Sequence, residues 1–162
     1  MNQQELPGHL RHWPGLFEWH DGALRDAPAA DVAVARSYPS YADKGLLVNG
    51  RRLTVMSRSL LYRVAEEVRV IHVVEVVEPG QELYVMGPKK VYGEKVDETF
   101  VTPQPPGDIW APDTYNGPVL PSPAVDYNYE ITAYRFDRAG KHTVQWCIGN
   151  LRSNRLEIEV EA

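Results

Sequence analysis

One run of residues, Val68 to Val77, constrains the fold more than any other part of the sequence. Valine and isoleucine occupy both alternating sets of positions along it. β-branched side chains favour extended backbone, and successive side chains of a strand point to opposite faces. Pro79-Gly80 then ends the run with a turn. A strand that is apolar on both faces must be covered on both, so we expect it at the centre of a layered β protein.

Two turn signals predict hairpins around this strand. Asn49-Gly50 lies between apolar residues, and Asn-Gly favours a two-residue hairpin turn because both residues adopt positive φ readily. It predicts strands at 45–48 and 51–56. After Pro79-Gly80, the segment from Leu83 to Met86 is expected to pair with the central strand as an antiparallel hairpin. Short edge strands are predicted at 91–92 and 99–102.

The last third of the chain has the clearest strand pattern. Strands are predicted over Tyr127 to Phe136, Lys141 to Ile148 and Arg155 to Val160. In the third of these, apolar residues alternate with arginine and glutamate. Because the side-chain period of a strand is two, one face of this strand belongs to the core and the other faces water.

The closing segment runs from Phe136 through Asp-Arg-Ala-Gly140 to Trp146 and then from Leu151 to Val160. It resembles the final strands of bacterial immunoglobulin-like domains. The resemblance implies a Greek-key sandwich from about Gly45 onward, with Trp146 in the core between two sheets. Such domains have many functions, so it implies no particular activity. The predicted fold is mostly β: an antiparallel immunoglobulin-like Greek-key sandwich with an irregular N-terminal arm and a long proline-rich loop.

The arm is residues 1–44, where no period of 2 or 3.6 is sustained. Asp31 is a candidate cap for a short helix that Pro39 would stop. We expect the arm to pack on one sandwich domain, residues 45–162, through its aromatic residues Trp13, Phe17 and Trp19.

Composition excludes several classes of protein. A net charge of -5 with scattered basic residues offers no stripe for nucleic-acid phosphates. No stretch approaches the roughly 20 apolar residues of a membrane span, and the first ten residues lack a signal-peptide pattern, so we expect a cytoplasmic protein. The single cysteine, Cys147, excludes an internal disulfide and a cysteine-based zinc site. Abundant Arg, Ala, Val, Pro and Gly are typical of GC-rich bacterial genomes.

A proline-rich segment between Thr102 and Val125 interrupts the strands, and it contains Trp110 and Tyr115. Proline removes backbone donors, so we expect a long loop that is either functional or disordered. Two interpretations stay open. The loop is a lid whose rigid aromatic side chains close over a groove, or it is a structural crossover whose aromatic side chains cover the edge of the core.

Aromatic and basic residues also follow the central strand, and tyrosines begin a later strand. If these segments are neighbours, they form a tyrosine-rich, partly basic groove of a composition common in peptide and small-molecule recognition. The alternative is that tyrosine, a good strand former, merely lines half-exposed strands. The candidate ligand-binding residues are Trp110, Tyr115, Tyr84, Lys89, Tyr92, Tyr127 and Tyr129.

The sequence contains no Gly-x-Ser-x-Gly elbow and no phosphate-binding glycine loop. His72 and Glu75 point to opposite faces of a strand, as do His142 and Cys147, so neither is a local catalytic pair. His9 and His12 of the arm lie between Pro7-Gly8 and Pro14-Gly15, which break a helix, so no metal site and no cofactor are expected.

We therefore expect a non-catalytic binding or accessory protein that recognises a peptide or partner segment, in a bacterial biosynthetic pathway. A ligand strand would add to a sheet edge, and the proline-rich loop would close over it. One alternative is a small cofactor-free enzyme of secondary metabolism, with a site under the loop built from Tyr84, Lys89, Tyr127 and His142. The other is a structural module that forms a homodimer through Arg155 to Val160 or the hairpin 45–56.

Overall fold

The computed structural model describes residues 16–84, 88–110, 117 and 119–162. The first elements are β1 (Phe17–His20), β2 (Ala23–Asp26), helix α1 (Ala29–Arg36) and a 3-10 helix (Tyr38–Ser40). The next strands are β3 (Arg51–Ser57), β4 (Leu61–Arg63), β5 (Glu67–Val76), β6 (Glu82–Tyr84), β7 (Glu94–Val96) and β8 (Thr99–Phe100). The last are β9 (Val119–Pro121), β10 (Ala124–Asp126), β11 (Thr132–Arg135), β12 (Gly140–Ile148) and β13 (Leu151–Glu161). The protein is thus mostly β, with several antiparallel sheets.

Two larger sheets form the body. In the first, β5 pairs antiparallel with β3 along one edge and with β10 and β11 along the other. In the second, the strand order is β4-β13-β12-β7-β8, and β4 runs parallel to β13. The pairs β1-β2 and β6-β9 form separate two-stranded sheets.

The main core lies between the two larger sheets. Val70 and Val74 of β5 pack there with Trp146 of β12 and Ile158 of β13, and all four are buried. The prediction that Trp146 lies in the core is confirmed, as is the alternation of buried and exposed residues along β13. Removing these side chains from water is the main favourable term in folding, at roughly 25 cal/mol for each Å² of apolar surface.

A second, smaller cluster covers the other face of β5. Ile71 and Val73 pack there against Ala35 of α1 and against Tyr38. The prediction that the central strand is covered on both faces is confirmed, because every residue from Val70 to Val74 is buried.

The expectation of an irregular arm differs from what residues 16–44 show, since they contain a hairpin and a helix. Asp21 and Gly22 have φ values of 50° and 79° and form the hairpin turn. Asp31 does not cap α1; it lies in the first turn, and Pro28 occupies the N-cap position without a side-chain hydrogen bond. The sequence shows no helical period here because packing on the body, rather than local propensity, stabilises so short a helix. Trp13 lies outside the described residues.

Buried ion pairs fix the β1-β2 hairpin and α1 to the first sheet. The Asp31 carboxylate, which has no exposed surface, accepts hydrogen bonds from Arg58 at 2.6 Å and Arg69 at 2.8 Å. Arg69 also donates to Glu18 of β1 at 2.6 Å. One arginine of β5 therefore holds both the hairpin and the helix.

Two predicted hairpins differ from the structure. The Asn49-Gly50 turn has positive φ at both residues, at 51° and 77°, but before it only Val48 is bridged to Arg51, so 45–48 is not a strand. The segment after Pro79-Gly80 pairs with β9 rather than with the central strand. Both edges of β5 are already occupied there, because Val74 to Val76 pair with β3 on one side and β10 on the other.

Other strand bounds also move. The predicted strand over Tyr127 to Phe136 is broken, since β10 ends at Asp126 and β11 begins at Thr132. The Asp126 carboxylate turns the chain by accepting a hydrogen bond from the backbone of Asn128 at 2.9 Å. The early edge strand lies at 94–96 instead of 91–92.

Candidate binding cleft

An open cleft of about 730 Å³ lies between the segment that follows β6 and the start of the proline-rich loop. Its size is within the usual range of small-ligand sites, roughly 300–1,000 Å³. Aromatic rings, prolines and lysine side chains make up most of its wall. The residues that line the cleft are Trp19, Pro88, Lys89, Lys90, Tyr92, Pro106, Gly107, Asp108, Ile109 and Tyr129.

Backbone hydrogen bonds join the two segments that carry Lys89 and Tyr129. The Lys89 amide donates to the Asn128 carbonyl at 2.9 Å, and the Glu130 amide donates to the Lys89 carbonyl at 2.7 Å. These bonds form an isolated parallel bridge between Lys89 and Tyr129. Residues forty positions apart in sequence thus share one surface, as the groove hypothesis requires.

The loop wall is fixed to the body by one glutamine. Gln104 donates from Nε2 to the Cys147 carbonyl at 2.7 Å and accepts at Oε1 from the Gly149 amide at 3.1 Å. Asp108 then accepts a hydrogen bond from the Trp110 amide at 2.8 Å. Gln104 is therefore held against the end of β12, whereas the bond between Asp108 and Trp110 lies within the loop.

A glycine permits the close approach on which this arrangement depends. Gly93 has a φ of 73°, and a Cβ at this position would lie 2.0 Å from the Cys147 carbonyl oxygen. The Gly93 amide donates to Pro103 at 2.8 Å, and its carbonyl accepts from Cys147 at 2.8 Å. Only glycine tolerates both the left-handed backbone and the contact.

Lys89 of the cleft is paired with a carboxylate. Lys89 donates to the buried Asp126 carboxylate at 2.6 Å, and its ammonium lies 4.6 Å from the centre of the Tyr129 ring. Burial, and the negative charge of Asp126, raise the pKa of Tyr129 well above its usual value. Tyr129 is therefore a neutral phenol at physiological pH, suited to packing and hydrogen bonding.

A small recess adjoins the cleft and shares Lys89, Ile109 and Tyr129 with it. Arg51 and Trp110 face each other there, with the guanidinium carbon 4.5 Å from the Trp110 ring centre. The recess measures about 10 Å³, room for one water-sized group. Glu82, Leu83, Tyr84 and Asp126 complete its wall.

The structure describes six of the seven predicted site residues and places them in three parts of the fold. Lys89, Tyr92 and Tyr129 line the cleft, and Tyr84 and Trp110 line the recess. Tyr127 is elsewhere: it lies just after the end of β10 and is fully buried in the cluster between the first sheet and α1, so it lines neither the cleft nor a half-exposed strand. Tyr115 lies outside the described residues.

A polar cluster in the main core was missed from sequence. His72 of β5 bonds through Nε2 to Glu94 of β7, and Glu94 also accepts hydrogen bonds from Thr132 and Tyr134. The edge of the His72 ring meets the Trp146 ring, with centres 5.0 Å apart. The signal was a histidine within an apolar strand, since a buried polar group needs a partner.

Burial raises the pKa of Glu94, but the charge of His72 and the hydrogen bonds from His72, Thr132 and Tyr134 hold it below the usual value. The side chains of His72 and Glu94 have no exposed surface. The pair can therefore act on stability and on the placement of β7, while a ligand in the cleft does not touch it.

The enzyme alternative required Tyr84, Lys89, Tyr127 and His142 in one site. His142 instead stacks on Phe136 and bonds to Asp97 at 2.7 Å, while Tyr127 packs under α1. The four residues are not brought together. In the parts of the chain that the structure describes, no three His, Cys, Asp or Glu side chains are arranged to hold a metal ion.

No family model, curated protein or solved structure matches the chain. No helix among the described residues is long and apolar enough to cross a membrane.

Proposed function

We propose that the chain is a non-catalytic binding protein whose cleft receives an aromatic or apolar side chain of a partner peptide. The observation that carries the proposal is the cleft itself, about 730 Å³ in volume and walled by Trp19, Tyr92 and Tyr129. Aromatic walls with a few polar groups are the usual composition of ligand sites. Rigid aromatic side chains also give large contact area at low entropic cost.

The polar groups of the wall support binding rather than proton transfer. Lys89 is held by Asp126, and Asp108 is held by the backbone of Trp110. Tyr129 keeps its proton because its pKa is raised. These hydrogen bonds hold Lys89 and Asp108 in position before a ligand binds, which lowers the cost of ordering them on binding.

The mode of binding that we propose differs from the expectation that a ligand strand adds to a sheet edge and the proline-rich loop closes over it. Both backbone groups of Lys89 are already bonded, to Asn128 and Glu130, so a ligand strand does not pair there. Gln104 holds the loop wall in place. We propose insertion of a side chain into a preformed cleft, which avoids the cost of ordering the loop on binding.

The test is titration of the full chain with N-acetyl-tryptophanamide and with N-acetyl-alaninamide, followed by two-dimensional NMR of backbone amides. We expect saturable shifts around Tyr92 and Tyr129 with the indole compound and much weaker ones with the alanine compound. Trp19→Ala should weaken binding about fivefold or more through lost aromatic contact.

Phe100→Ala is the matched control, because Phe100 is an aromatic side chain of similar exposure, 49% against 57% for Trp19, and does not line the cleft. It should leave the indole affinity unchanged. Absence of saturable shifts at the cleft, or equal loss in both variants, would contradict the proposed function.

We also propose that the body is an immunoglobulin-like Greek-key sandwich of a bacterial, cytoplasmic accessory protein. Support comes from two facing sheets, the closing hairpin β12-β13 and Trp146 between the sheets. The partner peptide would then belong to another protein of the pathway in which this protein acts.

The dimer alternative depended on open edges of β3 and β13. Asn154 occupies the β3 edge, since its side-chain amide accepts from the Val55 amide at 2.8 Å and donates to the Val55 carbonyl at 2.9 Å. Strand β4 covers β13 at Glu159 to Glu161. These contacts favour the cleft over edge pairing as the binding surface.

A further inference from the structure

Arg51 is an unusual residue in the recess beside the cleft. It lies on the same face of β3 as the core residue Leu53, and it is only partly exposed. Its Nη1 atom is buried and has no hydrogen-bond partner among the described residues. Guanidinium nitrogens that are removed from water normally bond to an acceptor, because a buried unpaired donor is unfavourable.

Two of the three nearby carboxylates are already in use, and the third, Glu82, belongs to an exposed side chain that lines the recess. Asp126 accepts from Lys89 and from the Asn128 backbone. Asp108 lies near enough for its charge to act on Arg51, but its carboxylate accepts from the Trp110 amide. Burial lowers the pKa of Arg51, which fits a cation that lacks a bonded partner.

The geometry allows a group in the cleft to reach this donor. The recess that Arg51 lines adjoins the cleft, and the two share Lys89, Ile109 and Tyr129 as wall residues. Its volume of about 10 Å³ accepts one oxygen atom but not a larger group. Trp110 covers the face of the guanidinium, so the unpaired Nη1 is the part left to a ligand.

We infer that the ligand of the cleft carries a carboxylate, one oxygen of which enters the recess and accepts a hydrogen bond from Arg51 Nη1. This inference rests on the proposed function, since it names the chemical class of the group that the cleft receives. An aromatic or apolar body lies against Tyr92 and Tyr129, and the acid group lies against Arg51. Charge-assisted hydrogen bonds to guanidinium are shorter and stronger than neutral ones, so an acid is preferred to an amide.

The experiment compares N-acetyl-tryptophan with N-acetyl-tryptophanamide, which differ only in the acid group. On the wild-type chain, we expect the acid to bind about tenfold more tightly, which corresponds to one charge-assisted hydrogen bond. Arg51→Gln should remove this preference while the amide still binds. Arg51→Lys, which keeps the charge but not the planar guanidinium, should keep only part of it.

Arg52→Gln is the matched control. Arg52 is the next residue of β3, and its side chain bonds to Glu75 at 2.7 Å on the opposite face of the sheet. This variant should keep the preference for the acid. Thermal unfolding of each variant verifies that it folds, and Arg51→Lys serves if Arg51→Gln does not.

Two further probes separate the sources of the acid group. Indole-3-propionate represents a free small acid, and Gly-Gly-Trp with a free or an amidated end represents a peptide C-terminus. Tight binding of either acid supports the inference and identifies the source. Equal affinity of acid and amide for the wild-type chain would overturn the inference and leave the proposed function standing, whereas no binding of any probe would overturn both.

Discussion

His72 and Glu94 lie on strands of different sheets and bond to each other inside the core that these sheets enclose. Glu94 is the cross-strand neighbour of Trp146, whose ring meets the edge of His72. Trp146 in turn donates from Nε1 to the carbonyl of Tyr92, a residue of the cleft wall, at 2.6 Å. The polar pair therefore helps to set the position of the segment that carries the cleft.

Removing one partner of this pair should destabilise the protein strongly. Glu94→Leu or His72→Leu leaves polar groups buried without partners, and we expect each to lower the free energy of unfolding by about 3–5 kcal/mol. The double variant should lose clearly less than the sum, because the two groups interact. Urea unfolding measures all three. Glu157→Leu on the exposed face of β13 is the control, and additive losses in the double variant would refute the coupling.

Acid should weaken the fold through Glu94. The pKa of Glu94 in the folded chain is lower than its usual value of 4.5, so its ionised form is favoured by folding. The stabilising contribution is complete above the unfolded pKa and is lost as the pH falls through the folded pKa. We expect the free energy of unfolding, measured in urea from about pH 6 down to about pH 3, to fall more steeply in the wild type than in Glu94→Gln. Parallel curves would contradict this assignment.

The contribution of His142 to stability should depend on pH in the opposite direction. Burial lowers its pKa, but hydrogen bonds with Asp97 at 2.7 Å and with the Arg138 carbonyl at 2.8 Å raise it above the usual 6.5. Its contribution is therefore fully present below the unfolded pKa and is lost as the pH rises through the folded pKa. An NMR titration of the His142 ring should show a lower pKa in Asp97→Asn than in the wild type. The same pKa in both proteins would show that Asp97 does not hold the charge.

Gly93→Ala should disturb both the fold and the cleft. The new Cβ would lie 2.0 Å from the Cys147 carbonyl oxygen and 3.0 Å from Gln104 Nε2, at a backbone φ of 73°. We expect a loss of roughly 3 kcal/mol or more in unfolding free energy, since both strain and a lost hydrogen bond are involved. Gly107→Ala is the control, because a Cβ there meets nothing within 4 Å. Equal thermal stability of the two variants would contradict the role given to Gly93.

Gln104→Ala should release the loop wall without unfolding the protein. Its amide bonds to the Cys147 carbonyl in β12 and to the Gly149 amide in the turn that follows. Hydrogen exchange at the amides of residues 104 and 107–110 should become faster while the amides of β5 stay protected. Gln81→Ala, which instead removes a bond to Asn49 at 2.9 Å, should leave that loop unchanged. Unaltered exchange in Gln104→Ala would show that other contacts hold the loop.

The sequence by itself determined the local elements. The β-branched run predicted β5, regular alternation predicted β13, and Asn49-Gly50 predicted its turn, because each signal is carried by adjacent residues. It also nominated Lys89, Tyr92 and Tyr129, whose residue types suit a ligand site.

Only the tertiary structure decided which strands pair and which side chains meet. β6 pairs with β9 because both edges of β5 are filled, and His72 meets Glu94 because two sheets face each other. Arg51 meets Trp110, which lies almost sixty positions later in the chain, in the recess beside the cleft. Contacts at such separations are set by packing of the whole molecule, and no local period or motif encodes them.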